Sequence, residues 1–430
     1  MSRDPRDSYF GLGRSEFPRL RRPLAGGRRL VYLDSACTAL KLRAPADRMR
    51  EFYLEDGGCG GGRALYELSR RAERAAAEAR EAAAGFLGAA APEEVVFTSG
   101  ATAALNLVAG AFPLPPGRDE LLVTDLEHNS AYLPFYERAR RDRLRLKVLP
   151  TEDGRLDPGV LRRALSKRTG LLVLPHASNV FGGVLELKEA VGLAHEAGAV
   201  VLADDAQYVQ SHREDVQESG VDFALFSAHK LGGPFGVGVL YGKAHLLNRM
   251  SGLPAGGGTV SALRRSRHGW EPDYLDAPKR LEPGIADYAG LAGLTETLRL
   301  YARLDYPALR AHIGALVRRA ARGLRSLPGV RVLGSDEHLA EGSLVSFHVA
   351  RRDFSAPDLA LYLDAGLPRH SVAVRAGTHC AHILHGRLGV RETVRLSFFA
   401  YSREEDVDVF LAALKGYLAR GRASPRRQLA

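Results

Sequence analysis

The 430 residues are 45% hydrophobic and 26% charged, with three cysteines, which excludes a disordered chain and a small disulfide-built secreted module. Length alone predicts two or three domains with ample core. The formal charge of +10 comes largely from basic runs at both ends.

Those runs, PRLRRPLAGGRR near the start and ARGRASPRR near the close, either attract polyanions or are solvated, mobile termini. No aromatic residues interleave with them as on a nucleic-acid surface, so nucleic acid is not an expected partner. No apolar run reaches the ~18 residues of a membrane span, and the opening lacks a signal peptide's apolar middle. A cytoplasmic protein without membrane association is expected. Cys37, Cys59 and Cys380 are far apart and form no CxxC pair, so neither a disulfide framework nor a metal site is expected.

In chain order, LVYL (30–33) runs into DSACTAL, and strand-like and helix-like patterns then alternate. EVVFT (94–98) predicts a strand, SGAT a turn and TAALNLVAG a helix. ELLVT (120–124) predicts the next strand, followed by a helix near 133–142 and the strand RLKVLP. Asp157 is a good N-cap and Pro158 suits a first helical position, so a helix precedes the strand GLLVLP (170–175). Leu187, Val191 and Ala194 share a helical face, Gly198 stops that helix, and AVVLAD (199–204) is a strand ending on an acid. DFALFS and VGVLYG, around HKLGGPFG, complete an alternation that signals an α/β sheet.

Residues 252–284 show no strong periodicity and read as a long connection or excursion. Two long helical patterns follow, at about 288–304 and 307–326, then strands at VRVLG, LVSFHV, SVAVR and TVRLSF. A last helix opens with Ser402 and Glu405 at capping-box spacing. The expected division is a basic arm (1–28), a large domain (29–289, with the 252–284 excursion), a small α+β domain (290–420) and a basic tail (421–430). No internal repeat is present.

Ligands of open α/β sheets gather at the carboxyl ends of the strands. Asp204 and Gln207 fall there, as do Ser227, His229 and Lys230 after the next strand. A lysine in that position is, by itself, equally a surface charge. A pyridoxal phosphate enzyme, however, needs a lysine that bonds the cofactor, a carboxylate that keeps the ring nitrogen protonated, and donors for the phosphate. Lys230 and Asp204 suit the first two roles. Ser227, His229 and the turn SGAT (99–102), whose backbone amides open a helix, suit the third. His128 in LEHNSAY either stacks on the ring or is structural, and Asn179 in HASNVFG either faces the site or bonds its own backbone in a turn.

Taken in order, YLDSACTAL, FTSGATAALNLVA, LEHNSAY, HASNVFG, VLADDAQ, FSAHKLGGPFGVGVLYG, GGGTV, APKRLEPG, RAGTHCA and VRLSFFAYS resemble the fold type I, class V pyridoxal phosphate enzymes. Within that class the resemblance is to cysteine desulfurases and selenocysteine lyases of the SufS type, over roughly residues 30–415. It implies an α/β fold: a large domain with a mostly parallel sheet flanked by helices, plus a smaller C-terminal α+β domain. It also implies a homodimer with the active site at its interface.

Residue by residue, the resemblance implies Lys230 as the cofactor-bonding lysine, Asp204 at the ring nitrogen, His128 on the ring face and Gln207 at the phenolic oxygen. Thr102, Ser227 and His229 match phosphate positions, Asn179 and Arg395 hold the substrate carboxylate, and Cys380 is the nucleophile with Arg375 nearby. A lone cysteine is more often buried and inert. Here Arg375, His379 and His382 surround Cys380 in sequence, and positive neighbours favour a thiolate. The implied reaction removes sulfur or selenium from L-cysteine or selenocysteine, leaves L-alanine, and passes the sulfur from an enzyme persulfide to an acceptor such as a sulfur-carrying protein.

Departures from the family pattern concern the substrate more than the cofactor. Asn129 and Ala131 stand in EHNSA where EHHSN is usual, Thr378 replaces a histidine in RAGTHCA, Ile285 replaces a threonine, and GGCGGGR with Cys59 is unfamiliar. A C–S lyase, epimerase or aminotransferase with Cys380 as bystander stays open within the fold. A catalytically silent scaffold is the remaining alternative, against which the presence of both Lys230 and Asp204 counts.

Overall fold

The computed structural model describes residues 10–60, 64–251 and 254–419; the expected basic tail at 421–430 and the first nine residues lie outside them. Strand β1 (Arg29–Tyr32) precedes the strands of the main sheet: β2 (Val95–Thr98), β3 (Glu120–Thr124), β4 (Arg145–Leu149), β5 (Thr169–Pro175), β6 (Val200–Asp204), β7 (Phe223–Ser227) and β8 (Gly238–Gly242). Their spatial order is β2-β8-β7-β6-β5-β3-β4. Strands β3 to β7 pair in parallel, whereas β8 runs antiparallel to β7 and β2. Helices cover both faces, which is why β3, β5 and β7 are buried along their whole length and read as apolar runs rather than alternating patterns.

Each crossover helix follows from local sequence. Asp157 accepts a hydrogen bond from the Val160 N–H at 2.9 Å and Pro158 begins helix Pro158–Ala164, as the cap predicts. The helix expected near 133–142 begins earlier, at Asn129, because His128 caps it.

The stretch expected as an irregular excursion contains an exposed antiparallel hairpin, β9 (Val260–Ser266) and β10 (Gly269–Tyr274). Both faces of β9 are largely solvent-exposed, so no apolar residues alternate and the strand leaves no period-2 signal.

The C-terminal unit holds a four-stranded antiparallel sheet, with β11 (Val330–Val332), β12 (Leu344–Val349), β14 (Arg375–Gly377) and β15 (Thr393–Ser397) in the order β11-β12-β15-β14. SVAVR is two strands rather than one. Its first part, β13 (His370–Ala373), pairs in parallel with β1, and Val374 is where the chain crosses to the other sheet. The last helix, Glu404–Ala419, is capped differently from expectation. Ser402 Oγ turns back to accept from the Phe399 N–H at 3.1 Å, and Asp406 rather than Glu405 accepts from the Arg403 N–H at 3.0 Å.

Residues 10–32 lie on the C-terminal unit, not loose in solvent as expected of a basic arm. Phe10, Leu12 and Phe17 sit among the arginines and are buried. Phe17 packs edge-on to Phe399 and Tyr401 at ring separations of 6.0 and 4.7 Å. Arg14 Nη1 donates to the Tyr401 carbonyl at 2.8 Å, and Arg29 pairs with Asp406 at 2.6 Å. Phe17→Ala is expected to lower unfolding free energy by roughly 3 kcal/mol, measured as a lower urea midpoint; an unchanged midpoint means this segment does not contribute to the core. Among the described residues no helix is long and apolar enough to cross a membrane.

Candidate active site

A cavity of about 300 Å³ lies at the carboxyl ends of β5, β6 and β7, closed on its far side by the β14 strand and the turn after it. All eleven side chains proposed from sequence line it: Thr102, His128, Asn179, Asp204, Gln207, Ser227, His229, Lys230, Arg375, Cys380 and Arg395. The main sheet accounts for the first eight. Each follows a strand end or a helix start, and such positions converge on one edge of the sheet.

At one end, the turn before helix Ala101–Ala111 presents backbone donors and the positive end of the helix dipole. Ser227 Oγ accepts from the Ala101 N–H at 2.7 Å, and Thr102 Oγ1 bonds Ser130 Oγ at 2.8 Å. Gly100 has φ +144°, a backbone shape closed to side chains. A Cβ on Gly238 would sit 2.4 Å from Gly100 Cα, so the first residue of β8 has room for no side chain if the turn is to reach Ser227. His229 accepts or donates through Nδ1 to Thr38 Oγ1 at 3.1 Å. Burial, with Lys230 and Lys41 nearby, pushes its pKa down to about 4, so its ring is neutral at pH 7.

A single helical turn, Ala228–Leu231, carries Lys230 from the end of β7 into the cavity. Burial depresses the Lys230 ammonium; Asp204 opposes this and Arg395 reinforces it. Burial likewise raises the Asp204 carboxyl, while Lys230 and an N–H donated by Ala206 at 3.0 Å hold it down. His128 Nδ1 accepts the Ser130 N–H at 3.1 Å, which leaves the ring proton on Nε2. Burial, then Lys230 and Arg395, push its pKa to about 4, so a flat, uncharged ring faces the cavity. Gln207 Nε2 donates to the Ala36 carbonyl at 2.8 Å, and its Oε1 accepts from Gln210 at 3.1 Å.

At the other end Arg395 is 4% exposed. Its Nη1 donates to the Asn179 carbonyl at 3.0 Å, its Nη2 reaches Asp34 at 3.4 Å, and its buried Nε has no partner among the described residues. The Asn179 amide donates to the His379 carbonyl at 2.7 Å, so this side chain braces the neighbouring turn as well as lining the cavity.

That turn carries Cys380. His379 and Cys380 have φ of +52° and +56°, left-handed values uncommon outside glycine, and Cys380 is exposed. The turn is held by the Asn129 N–H, which donates to the Cys380 carbonyl at 2.7 Å. His382 joins both of its flanks: Asn129 Nδ2 donates to its Nδ1 at 2.9 Å, and its Nε2 meets Thr378 Oγ1 at 3.3 Å. Two departures from the family pattern, Asn129 and Thr378, therefore meet on one ring beside the thiol. Ala131 is core, and Ile285 is 75% exposed.

One expectation about Cys380 changes. His379 is buried, its Nε2 bonds Thr393 Oγ1 at 2.8 Å, and burial with Arg395, His385 and Arg375 nearby drives its pKa to about 2. It adds no positive charge. A residue that sequence reasoning left without a role, Cys37, also lines the cavity. Its position just after β1, in DSACTAL, was the available signal, because chain reversals after strand ends are where this fold gathers its polar groups. Cys59 is exposed, with its sulfur at 3.3 Å from the Gly60 carbonyl, and does not line the cavity.

Behind β5 and β6 lies a buried triad. His176 Nδ1 donates to Asp205 at 2.8 Å and lies 3.0 Å from Glu214, and the His176 ring stacks on Tyr208. These three are the one group among the described residues with a metal-type donor set, and the imidazole N–H already joins them. Burial opposes a charged His176, but the two carboxylates outweigh it and raise its pKa to about 9. Burial and Glu214 also raise Asp205. Both groups hold protons more tightly folded than unfolded. The Asp205 share is complete only below the ordinary carboxyl pKa of about 4, whereas the His176 share is complete below about pH 6.5 and is lost as pH rises toward 9. Wild type is expected to lose about 2 kcal/mol more over that interval than the Asp205→Asn, Glu214→Gln protein, read from urea unfolding at each pH. Parallel curves would remove the triad from the pH dependence.

The family model for aminotransferase class-V matches residues 31–410. The chain is 38% identical over 405 residues to the cysteine desulfurase of Dickeya dadantii, covering 93% of this chain and 95% of that one. It is also 38% identical to a probable cysteine desulfurase of Mycolicibacterium paratuberculosis, covering 94% of this chain and 57% of that longer one. Among solved structures, that of the cysteine desulfurase CsdA from Escherichia coli, in an S-sulfonic acid form, is similar with a TM-score of 0.83 and 34% identity over 94% of this chain and 97% of that one. In sequence and in fold alike, the chain belongs to the aminotransferase class-V family.

Proposed function

We propose that the protein is a pyridoxal phosphate-dependent cysteine desulfurase, which removes sulfur from L-cysteine through a persulfide on Cys380 and releases L-alanine. The observation that carries this reading is the meeting of Lys230, Asp204 and Cys380 on one cavity. The cofactor fits the residues present. Helix Ala101–Ala111 and Thr102, Ser227 and His229 form an anion cradle, Asp204 suits the ring nitrogen, and the neutral His128 ring suits its face.

When bound, pyridoxal phosphate supplies an electron sink for the bond broken at the substrate Cα. Asp204, a carboxylate opposite a ring nitrogen, favours the protonated ring. Arg395, with its free Nε, and Asn179 suit the substrate carboxylate. Lys230, its ammonium depressed by burial, takes the Cα proton as a free amine. Cys380 Sγ attacks the substrate sulfur, the Cβ–S bond breaks, and protonation of the remaining fragment gives alanine. An acceptor thiol, such as one on a second protein, then collects the sulfur. Selenocysteine serves the same groups.

We place the enzyme in the cytoplasm as a homodimer. Exposed Leu263 (57%) and Trp270 (68%) on the hairpin and exposed Ile285 support the second point, because apolar surface of this kind is usual at interfaces. The test of function is to incubate the purified holoenzyme with L-cysteine and measure alanine, sulfide and pyruvate together. Alanine with enzyme-bound sulfur is expected. Pyruvate and ammonia, or a requirement for a keto acid, would replace this reading with lyase or aminotransferase chemistry.

A further inference from the structure

Two thiols face the cavity. Cys37 is half-buried in the turn after β1, and its N–H donates to the Asp34 carbonyl at 3.1 Å. Arg375 Nη2 donates to the Cys37 sulfur, and Asp34 holds that guanidinium in place at 3.1 Å. Lys41, Lys230 and Arg395 also lie within electrostatic range of the sulfur. Reactive cysteines occupy electropositive, partly exposed surroundings of this kind.

The second thiol, Cys380, lines the same cavity from the exposed left-handed turn. Arg375 begins the strand that leads into this turn. One arginine thus touches the first thiol and belongs to the segment that carries the second. One buried donor on this wall, Arg395 Nε, has no partner among the described residues, so the cavity is furnished to hold further negative charge.

We propose that Cys37 is a second sulfur-carrying thiol, which takes the outer sulfur of the Cys380 persulfide within the cavity. The proposal rests on the desulfurase reading above. Cys37 thiolate attacks the outer sulfur, a new S–S bond forms at Cys37, and the S–S bond to Cys380 breaks with its electron pair passing to Cys380 as thiolate. Charge, protons and oxidation state balance, so no oxidant or reductant is required. The transfer moves sulfur from an exposed position to a half-buried one, and it frees Cys380 to attack another substrate before an acceptor arrives.

The test mixes holoenzyme with L-cysteine at only a few equivalents per active site and no other thiol. The alanine burst is quantified, then the protein is alkylated and digested, and added sulfur is mapped by peptide mass. Wild type is expected to carry sulfur on both the Cys37 and the Cys380 peptides, with a burst about twice that of Cys37→Ser. Cys380→Ala is expected to carry none on Cys37. Alanine with sulfur on Cys380 alone overturns the relay and leaves the desulfurase reading intact. Sulfur on Cys37 in Cys380→Ala overturns the order of transfer, because Cys37 would then be attacking substrate directly. No alanine from wild type overturns the desulfurase reading on which the relay rests. Mapping in wild type does not depend on any variant folding.

Discussion

Cys380→Ala is expected to abolish alanine formation from L-cysteine, by roughly a thousandfold or more, while the cofactor absorbance still shifts when L-cysteine is added. The two readouts separate because different ends of the cavity produce them. In the proposed reaction cofactor and substrate are held by Lys230, Asp204, Arg395 and the helix at Ala101–Ala111, none of which touches the Cys380 side chain through a described hydrogen bond. Only sulfur transfer needs a nucleophile on the opposite wall. The turn itself is fastened through main-chain atoms, by the Asn129 N–H to the Cys380 carbonyl and by Asn179 to the His379 carbonyl, so loss of the thiol leaves those bonds in place. The substitution adds no backbone strain, since alanine at φ +56° is as strained as cysteine. Alanine production at the wild-type rate would make Cys380 a bystander and move the protein to lyase or aminotransferase chemistry.

Lys230→Ala is expected to remove the covalent, borohydride-fixable attachment of the cofactor and to lower turnover by at least roughly a thousandfold. Lys230 is delivered by one helical turn whose end is set by Gly232 at φ +80°, and the Asp204 carboxylate lies within its field. Without the ammonium, Asp204 loses the partner that opposes its burial and its carboxyl rises further. The variant therefore weakens the ring-nitrogen partner as well as removing the amine. Mass analysis after borohydride treatment checks the attachment. A cofactor still fixed to the protein would assign that bond to another lysine, and Lys41, whose pKa burial brings down to about 8, is the other lysine in contact with His229.

Much of this site was legible before any coordinates, for a specific reason. A parallel sheet writes its strands as continuous apolar runs, and it places whatever follows each run on the same edge. LEHNSAY, HASNVFG, VLADDAQ and SAHKLGG each follow such a run, so chain order alone brings His128, Asn179, Asp204, Gln207, Ser227, His229 and Lys230 together. Cys380, Arg375 and Arg395 come from the antiparallel C-terminal sheet, where no local rule points toward the cavity. Resemblance, not periodicity, assigned them to it.

What stayed hidden depends on contacts between distant segments. The apolar run LVYL is visible in the sequence, but the partner of the strand it belongs to, β13, is more than three hundred residues away. The arginine-rich stretch before it looks like a solvated arm because charge dominates its composition; Phe10, Leu12 and Phe17 are buried only once Phe399 and Tyr401 are folded beneath them. His379 looks cationic in sequence and is neutral in the fold, because desolvation acts on a charge only after the chain has enclosed it. Cys37 shows the same limit most plainly. Within DSACTAL only its place after a strand end marks it, and it becomes a second thiol on the cavity wall through Arg375, a residue brought to it from the other end of the chain by the docking of two sheets.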